Sequence, residues 1–353
     1  MVSVILSETA TTETKFKYGF ELKEIASTKP ALNQALVKVQ AAALNHRDVW
    51  ILKGMYPGIT MGSVIGSDAV AYIIENGTKE LPVGQRVLLN PGSGWISDER
   101  GPENTFGILG LLPFAGTLTD EPFAMDHDEL IACPQHLSNA EAAALPLAGL
   151  TAYRALFTKA LVRKDEHVLV TGIGGGVALA ALQFAVAAGA HVYVTSSSSE
   201  KIKKAIELGA KGGVNYKDEN FIAGLKKLLG SNQLSAIIDG AGGPLYNVYP
   251  RLMKTGGIIA NYGQTASPKG VGFSMTHVLK NIDMRGSTMG SRKEFKDMVQ
   301  FVDRYKIKPV VSHVWTGLNN KSIDQAIATM SNGDQFGKLV IETNNANNGS
   351  PKL

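Results

Sequence analysis

The sequence predicts an α/β protein of two domains, a β-rich unit followed by a doubly wound parallel sheet. Three observations lead there. The chain has 353 residues, more than twice the roughly 100–150 residues of a common single domain. Apolar residues make up 44% and charged residues 19%, a balance that supports a sizeable core. The texture also changes near residue 146, from short strand-like runs broken by Gly and Pro to regular alternation of strand and helix.

In the first part, Ala35-Leu-Val-Lys-Val-Gln-Ala41 reads as a strand with partial alternation, and Val70–Ile74 as a more buried one. Leu81–Leu89 reads as a turn feeding another strand. Residues 90–116 hold six glycines and three prolines, which predicts a long surface loop or lobe. In the second part, His167–Thr171 is a strand and Val177–Ala188, apolar all round, a helix buried on both faces. His191–Thr195 is a second strand, and Glu200–Leu208 a polar helix closed by Gly209. Val214-Asn215, Ala236–Asp239 and Gly257–Ala260 fall at further strand positions. After residue 284, Lys293–Tyr305 and Ile323–Met330 have helical spacing, while Val310–Val314 and Lys338–Ile341 read as strands. The Asn-rich tail from Asn344 is expected to be disordered.

Composition excludes several classes. A single cysteine, Cys133, rules out a disulfide framework and any Cys-rich zinc site. Net charge is +4 with the cations scattered, the one dense run being Lys201, Lys203 and Lys204. A nucleic-acid-binding stripe is therefore not expected. The opening residues carry no basic region followed by an apolar one, and no apolar run is long enough to span a bilayer. A soluble, cytoplasmic protein is the expectation.

The strongest site signal is Thr171-Gly-Ile-Gly-Gly-Gly-Val-Ala178, which leaves an apolar strand and opens an apolar helix. Glycines at such a turn let a pyrophosphate approach the backbone, and the helix N-terminus stabilises its charge. The second strand ends in Thr195-Ser-Ser-Ser-Ser199, with no acid before Glu200. An acid at that strand end would select NAD by binding the ribose 2′-hydroxyl. Small hydroxyls followed by Lys201 suit a 2′-phosphate instead. NADPH is thus the expected cofactor.

The chain resembles the medium-chain dehydrogenase/reductase superfamily, and within it the zinc-independent, quinone-oxidoreductase-like branch. The resemblance rests on Asn45-His-Arg-Asp48, Gly54-Met-Tyr-Pro57, Gly66-Ser-Asp68 and Pro82–Val87, in that order. Ala144–Tyr153, the glycine loop, Asp239–Gly243 and Gly286–Gly290 complete it. It implies a GroES-like β-rich catalytic domain built from 1–145 and 284–353, around a Rossmann domain over 146–283. A cofactor cleft between the two and a homodimer are further family expectations. Gly172, Gly175 and Ala178 then correspond to the branch's A-x-x-G-x-x-G loop, and Ser197, Lys201 and Tyr216 to its 2′-phosphate ligands. Thr151, Gly176, Val177, Ser196, Tyr262 and Lys338 complete the expected cofactor-binding set.

The same resemblance bears on zinc. Zinc-dependent members carry Cys at the position of Asn45, a His-Glu pair at Ser67-Asp68, and a third ligand near Leu147. Asn, Ser and Leu do not make a catalytic zinc site, so no metal ligands are assigned. The implied reaction is hydride transfer from NADPH to quinones or α,β-unsaturated carbonyl compounds. Tyr56 matches the tyrosine of the G-x-Y-P segment that related enoyl reductases use as a proton source. Asn45 is the second candidate, as an amide donor to substrate or nicotinamide ribose. A zinc-free aldehyde reductase remains an alternative, requiring a donor aimed at the carbonyl oxygen. So does a non-enzymatic protein that binds NADPH or nucleic acid.

Overall fold

A computed structural model describes residues 1–9, 16–265 and 270–343; the tail expected to be disordered lies outside them. The chain forms two units, one made of Met1–Ala148 and the segment from Ser291 onward, the other of Gly149–Gly290.

The first unit opens with β1 (Ser3–Ser7) and β2 (Gly19–Lys23), an antiparallel ribbon that the sequence reading did not identify. Next come β3 (Gln34–Ala43), α1 (His46–Leu52), β4 (Asp68–Glu75) and β5 (Arg86–Leu89). The segment 90–116 is a lobe with interior residues of its own. It contains the short pair β6 (Gly92–Ser93) and β7 (Gly107–Ile108). Trp95 meets Phe106 edge-on at 5.6 Å, and Trp95, Leu109 and Leu111 are buried. β8 (Phe123–Asp126) and β9 (Leu130–Ala132) return to the sheet, followed by α2 (Asn139–Ala143). The boundary between the units falls within α3 (Pro146–Tyr153).

The second unit alternates strand and helix, as its sequence predicts. Its elements are β10 (His167–Val170), α4 (Gly176–Ala187), β11 (His191–Ser196), α5 (Ser199–Glu207), β12 (Gly212–Asn215) and α6 (Phe221–Leu229). β13 (Leu234–Asp239), β14 (Met253–Asn261), α7 (Met275–Leu279) and β15 (Asp283–Gly286) follow. All six strands are parallel, in the order β12-β11-β10-β13-β14-β15. The order reverses direction between β10 and β13, the switch point at which doubly wound sheets bind ligands beyond the strands' carboxyl ends. No residue of α4 is exposed, which is why its sequence carries no polar face.

The chain then returns to the first unit through α8 (Arg292–Tyr305), β16 (Val311–Thr316), α9 (Asn320–Asn332) and β17 (Lys338–Glu342). Ser291 caps α8 by accepting the Glu294 N–H, and the Glu294 carboxylate accepts the Ser291 N–H. The main sheet of this unit runs β16-β17-β3-β4-β5-β9, with β8 also on β3. Its core joins residues from both chain segments, Val37, Val39 and Ile73 packing in one cluster with Ile323, Leu339 and Ile341. β17 and β4 both run antiparallel to β3, so Ala43 pairs with Val340 on one side and Asp68 on the other. The end of β3 thus lies beside the starts of both neighbours. That register positions the candidate cluster of the first unit.

Candidate active site and cofactor loop

Asn45 follows β3 and heads α1, Asp68 opens β4 and Lys338 opens β17. The Lys338 ammonium donates to Asn45 Oδ1 at 2.6 Å and to Asp68 Oδ2 at 2.8 Å. The other Asp68 oxygen accepts the Leu147 N–H, in the first turn of α3, at 2.8 Å. Asn45 Nδ2 donates to Ser67 Oγ at 3.3 Å. The four positions tied to the zinc ligands of relatives are therefore brought together here. Their contributions are an amide, a hydroxyl, a carboxylate and a backbone N–H, and an ammonium already lies among them. A divalent cation in that place would face a like charge, and the donors are not the nitrogen and sulfur set that zinc prefers. Among the described residues, no group of three His, Cys, Asp or Glu side chains is placed to hold a metal ion.

Around this cluster, Asp48 is fully buried, and one carboxylate oxygen accepts the Asn45 N–H at 2.8 Å. Burial pushes its carboxyl up, against the opposing pull of the Arg47 guanidinium. Arg47 donates to the Leu109 carbonyl at 2.6 Å, and its guanidinium carbon lies 4.8 Å from the centroid of the Tyr56 ring. Tyr56 is half-buried, its ring against the core and beneath that cation. His46 is exposed, with its ring edge-on to Trp50 at 5.5 Å.

In the second unit, a separate group of candidate residues lies at the carboxyl ends of β10 and β11. Gly172 adopts φ +63° and Gly174 φ +132°, conformations that side chains rarely take. Gly172 and Gly175 are exposed, and a Cβ on either would point into open space. Gly175 caps α4 without a side chain. The first-turn N–H groups at Gly176 and Val177 are thus left to an outside acceptor. This cradle fits a dinucleotide pyrophosphate.

Ser196, Ser197, Lys201 and Tyr216 gather around the ends of β11 and β12. Asn215 pairs with Ser196 across the strands, the Tyr216 N–H donates to the Ser196 carbonyl at 3.0 Å, and Asn215 Nδ2 reaches the Ser197 carbonyl at 3.5 Å. Ser197 and Tyr216 are exposed. Ser198 caps α5 by accepting the Lys201 N–H at 3.3 Å. The Lys201 side chain lies across Gly174, close enough that a Cβ there would meet its Cδ at 2.9 Å and its Nζ at 3.4 Å. Glu200, the first acid in sequence after β11, pairs with Lys204 at 2.8 Å. Thr151 is buried in α3, and the Tyr262 ring lies against Gly240. Of the expected cofactor residues, Lys338 alone belongs to the first unit.

Sequence reasoning did not identify the network around Asp239. This fully buried carboxylate at the end of β13 accepts from Thr171 Oγ1 at 2.5 Å, the Gly242 N–H at 2.9 Å, Tyr246 Oη at 2.9 Å and Asn261 Nδ2 at 3.1 Å. It ties β10, β13 and β14 together beside the switch point. Burial, and then the Asp239 charge, pushes the phenols of Tyr246 and Tyr262 up, so neither yields a proton readily. The available signal was an acid at a strand end followed by a glycine-rich turn.

Comparison with known proteins agrees with this architecture. Residues 31–135 match the alcohol dehydrogenase GroES-like domain and residues 176–304 the zinc-binding dehydrogenase domain. The chain is 41% identical over 340 residues to a zinc-type alcohol dehydrogenase-like protein, YogA, of Leptosphaeria maculans, covering 92% of this chain and 95% of that one. An acryloyl-coenzyme A reductase of Metallosphaera sedula is 28% identical, covering 93% and 97%. A quinone oxidoreductase of Salmonella typhimurium is a more distant match, 26% identical over 69% of each chain. A crystal structure of an NAD-dependent alcohol dehydrogenase superposes with a TM-score of 0.85 at 29% identity, covering 97% of this chain and all of that one. The chain belongs to the medium-chain dehydrogenase/reductase superfamily and is an NAD(P)-dependent oxidoreductase.

Proposed function

We propose that the protein is an NADPH-dependent, zinc-independent reductase of quinones and α,β-unsaturated carbonyl compounds. The observation that carries this reading is the chemistry at the positions of the metal ligands, where Asn45, Ser67 and Asp68 surround the Lys338 ammonium. A reductase without a Lewis acid favours acceptors that spread developing charge over a conjugated system.

When bound, NADPH supplies the hydride. The glycine loop and the start of α4 hold its pyrophosphate, and Ser197, Lys201 and Tyr216 hold its 2′-phosphate. Tyr56 supplies the proton that an enolate product needs, its ring held in place by Arg47. Asn45 positions Lys338 through Oδ1 and keeps one amide hydrogen for a ligand. The acryloyl-coenzyme A reductase among the relatives supports a conjugated acceptor, since its named substrate is an α,β-unsaturated thioester.

The test is NADPH oxidation by the purified chain against a quinone, an enone and a saturated aldehyde of similar size. Turnover of the first two, with little on the aldehyde, is the expected result. Turnover of the aldehyde alone would replace this reading with carbonyl reduction.

A further inference from the structure

We propose that Lys338 is a catalytic residue, its ammonium taking the place of a metal ion and receiving the substrate's carbonyl oxygen as that oxygen becomes anionic. This rests on the reductase reading above and names the group that stabilises the product anion.

An ammonium has three N–H donors. Those of Lys338 with partners among the described residues go to Asn45 Oδ1 at 2.6 Å and Asp68 Oδ2 at 2.8 Å. One donor remains. The two acceptors fix its direction, because Asn45 and Asp68 are themselves held: Asp68 by the Leu147 N–H at 2.8 Å, and Asn45 through Ser67 and Asp48. A flexible surface lysine would lose considerable side-chain entropy on engaging a ligand. Here that cost falls on folding.

Exposure within the cluster also has a direction. Ser67 and Asp68 are sealed at 0%, whereas Asn45 and Lys338 keep 6% and 5%. The two members that reach the surface are the two with an N–H to spare. In this desolvated setting a fixed positive donor stabilises a developing oxyanion far better than it would in water.

The chemistry balances without a further reactant. As hydride bonds to the β-carbon of an enone, the displaced π pair moves to the carbonyl oxygen. The Lys338 N–H holds that charge without releasing its proton. The proton for the α-carbon comes from Tyr56, which recovers one from water, and gives the saturated ketone, with NADPH oxidised and the enone reduced. Asp68 holds the lysine in place through its 2.8 Å hydrogen bond; it makes no contact with substrate.

The experiment uses the full chain with NADP+ and para-nitrophenol, whose oxygen resembles an enolate and whose spectrum reports its ionisation. Lys338→Met alone strands a buried carboxylate and is expected to fold poorly, so the test variant is Lys338→Met with Asp68→Asn. Wild type should bind the probe as phenolate, with its pKa lowered by about one unit or more, and the double variant should bind it as the neutral phenol. With enone or quinone, the double variant should lose roughly 10²–10³-fold in kcat, while NADPH Kd changes less than about twofold.

Equal ionisation in both proteins, or no binding to wild type, overturns the proposal. So does recovery of kcat in the double variant, which would make Lys338 only the neutraliser of Asp68. Weakened NADPH with unchanged kcat at saturation would make it a cofactor ligand, and also overturns it. A phenolate shift that depends on Lys338, in a protein that reduces none of the three acceptors, would keep this site and discard the reductase reading. Normal turnover without such a shift would do the reverse.

Discussion

At the residue scale, two side chains separate chemistry from binding. Tyr56 packs beneath Arg47 with its ring, and Tyr56→Phe preserves that packing while removing the proton. Enone reduction should slow by about 10²-fold, in the range for a positioned acid, with quinone reduction and NADPH affinity much less affected. Steady-state kinetics on the two acceptors checks this; a uniform loss would assign Tyr56 to packing. Lys201 is the residue proposed to bind the cofactor. A charge-assisted contact to phosphate is worth about 1.5–3 kcal/mol, so Lys201→Ala should weaken NADPH roughly tenfold or more and leave NADH nearly unchanged in a fluorescence titration. Both candidates stand within local motifs, which is why the sequence alone singles them out. The partnership of Lys338 with Asn45 and Asp68 was not legible there, since its members lie 293 and 270 positions apart and only strand register unites them.

At the element scale, apolar periodicity and end signals explain most of what the sequence shows. α4 is recognisable because both its faces are covered, and α5 because its polar face is broken by Ile202 and Ala205, the two buried positions. β1 and β2 were illegible for the opposite reason: they are five-residue strands whose burial comes from distant partners, Val4 and Leu6 bonding to Leu118 and Ser63. The 90–116 lobe holds a local device that no periodicity reveals. The Glu103 carboxylate accepts the N–H groups of Ile96, Ser97 and Asp98 at 2.6–2.7 Å. Local desolvation would raise its pKa, but these bonds outweigh it and bring the group down to about 2, from an ordinary 4.5. A carboxyl lowered on folding adds stability that is complete above the unfolded value and lost as pH falls through the folded one. Thermal unfolding followed from pH 5 down to about 2 should therefore show a steeper acid decline in wild type than in Glu103→Gln.

For the molecule as a whole, hydrophobic rhythm conveyed the order of the two architectures, and the family resemblance the interruption of one by the other. Neither could convey the Asp239 network or the ammonium among the lost ligand positions, which depend on side chains meeting across sheets. The whole-molecule prediction concerns metal content. The purified protein should carry no stoichiometric zinc by elemental analysis and keep its full turnover in excess chelator. One zinc per chain, with activity lost on its removal, would refute the zinc-independent assignment.

The first unit is completed by β17, the last strand among the described residues, and this sets an order on synthesis. Gly149–Gly290 is contiguous, so it can fold as soon as it clears the ribosome, as domains generally do. Met1–Ala148 emerges earlier yet must wait, because β3 lacks one neighbour until β17 is made. During that interval Asp68 has no lysine, and an incomplete sheet edge is open to wrong pairing. The ion pair that closes at Lys338 therefore also marks the completion of the first unit: a ribosome-stalled fragment ending before it should show amide-exchange protection in the second unit and little in the first.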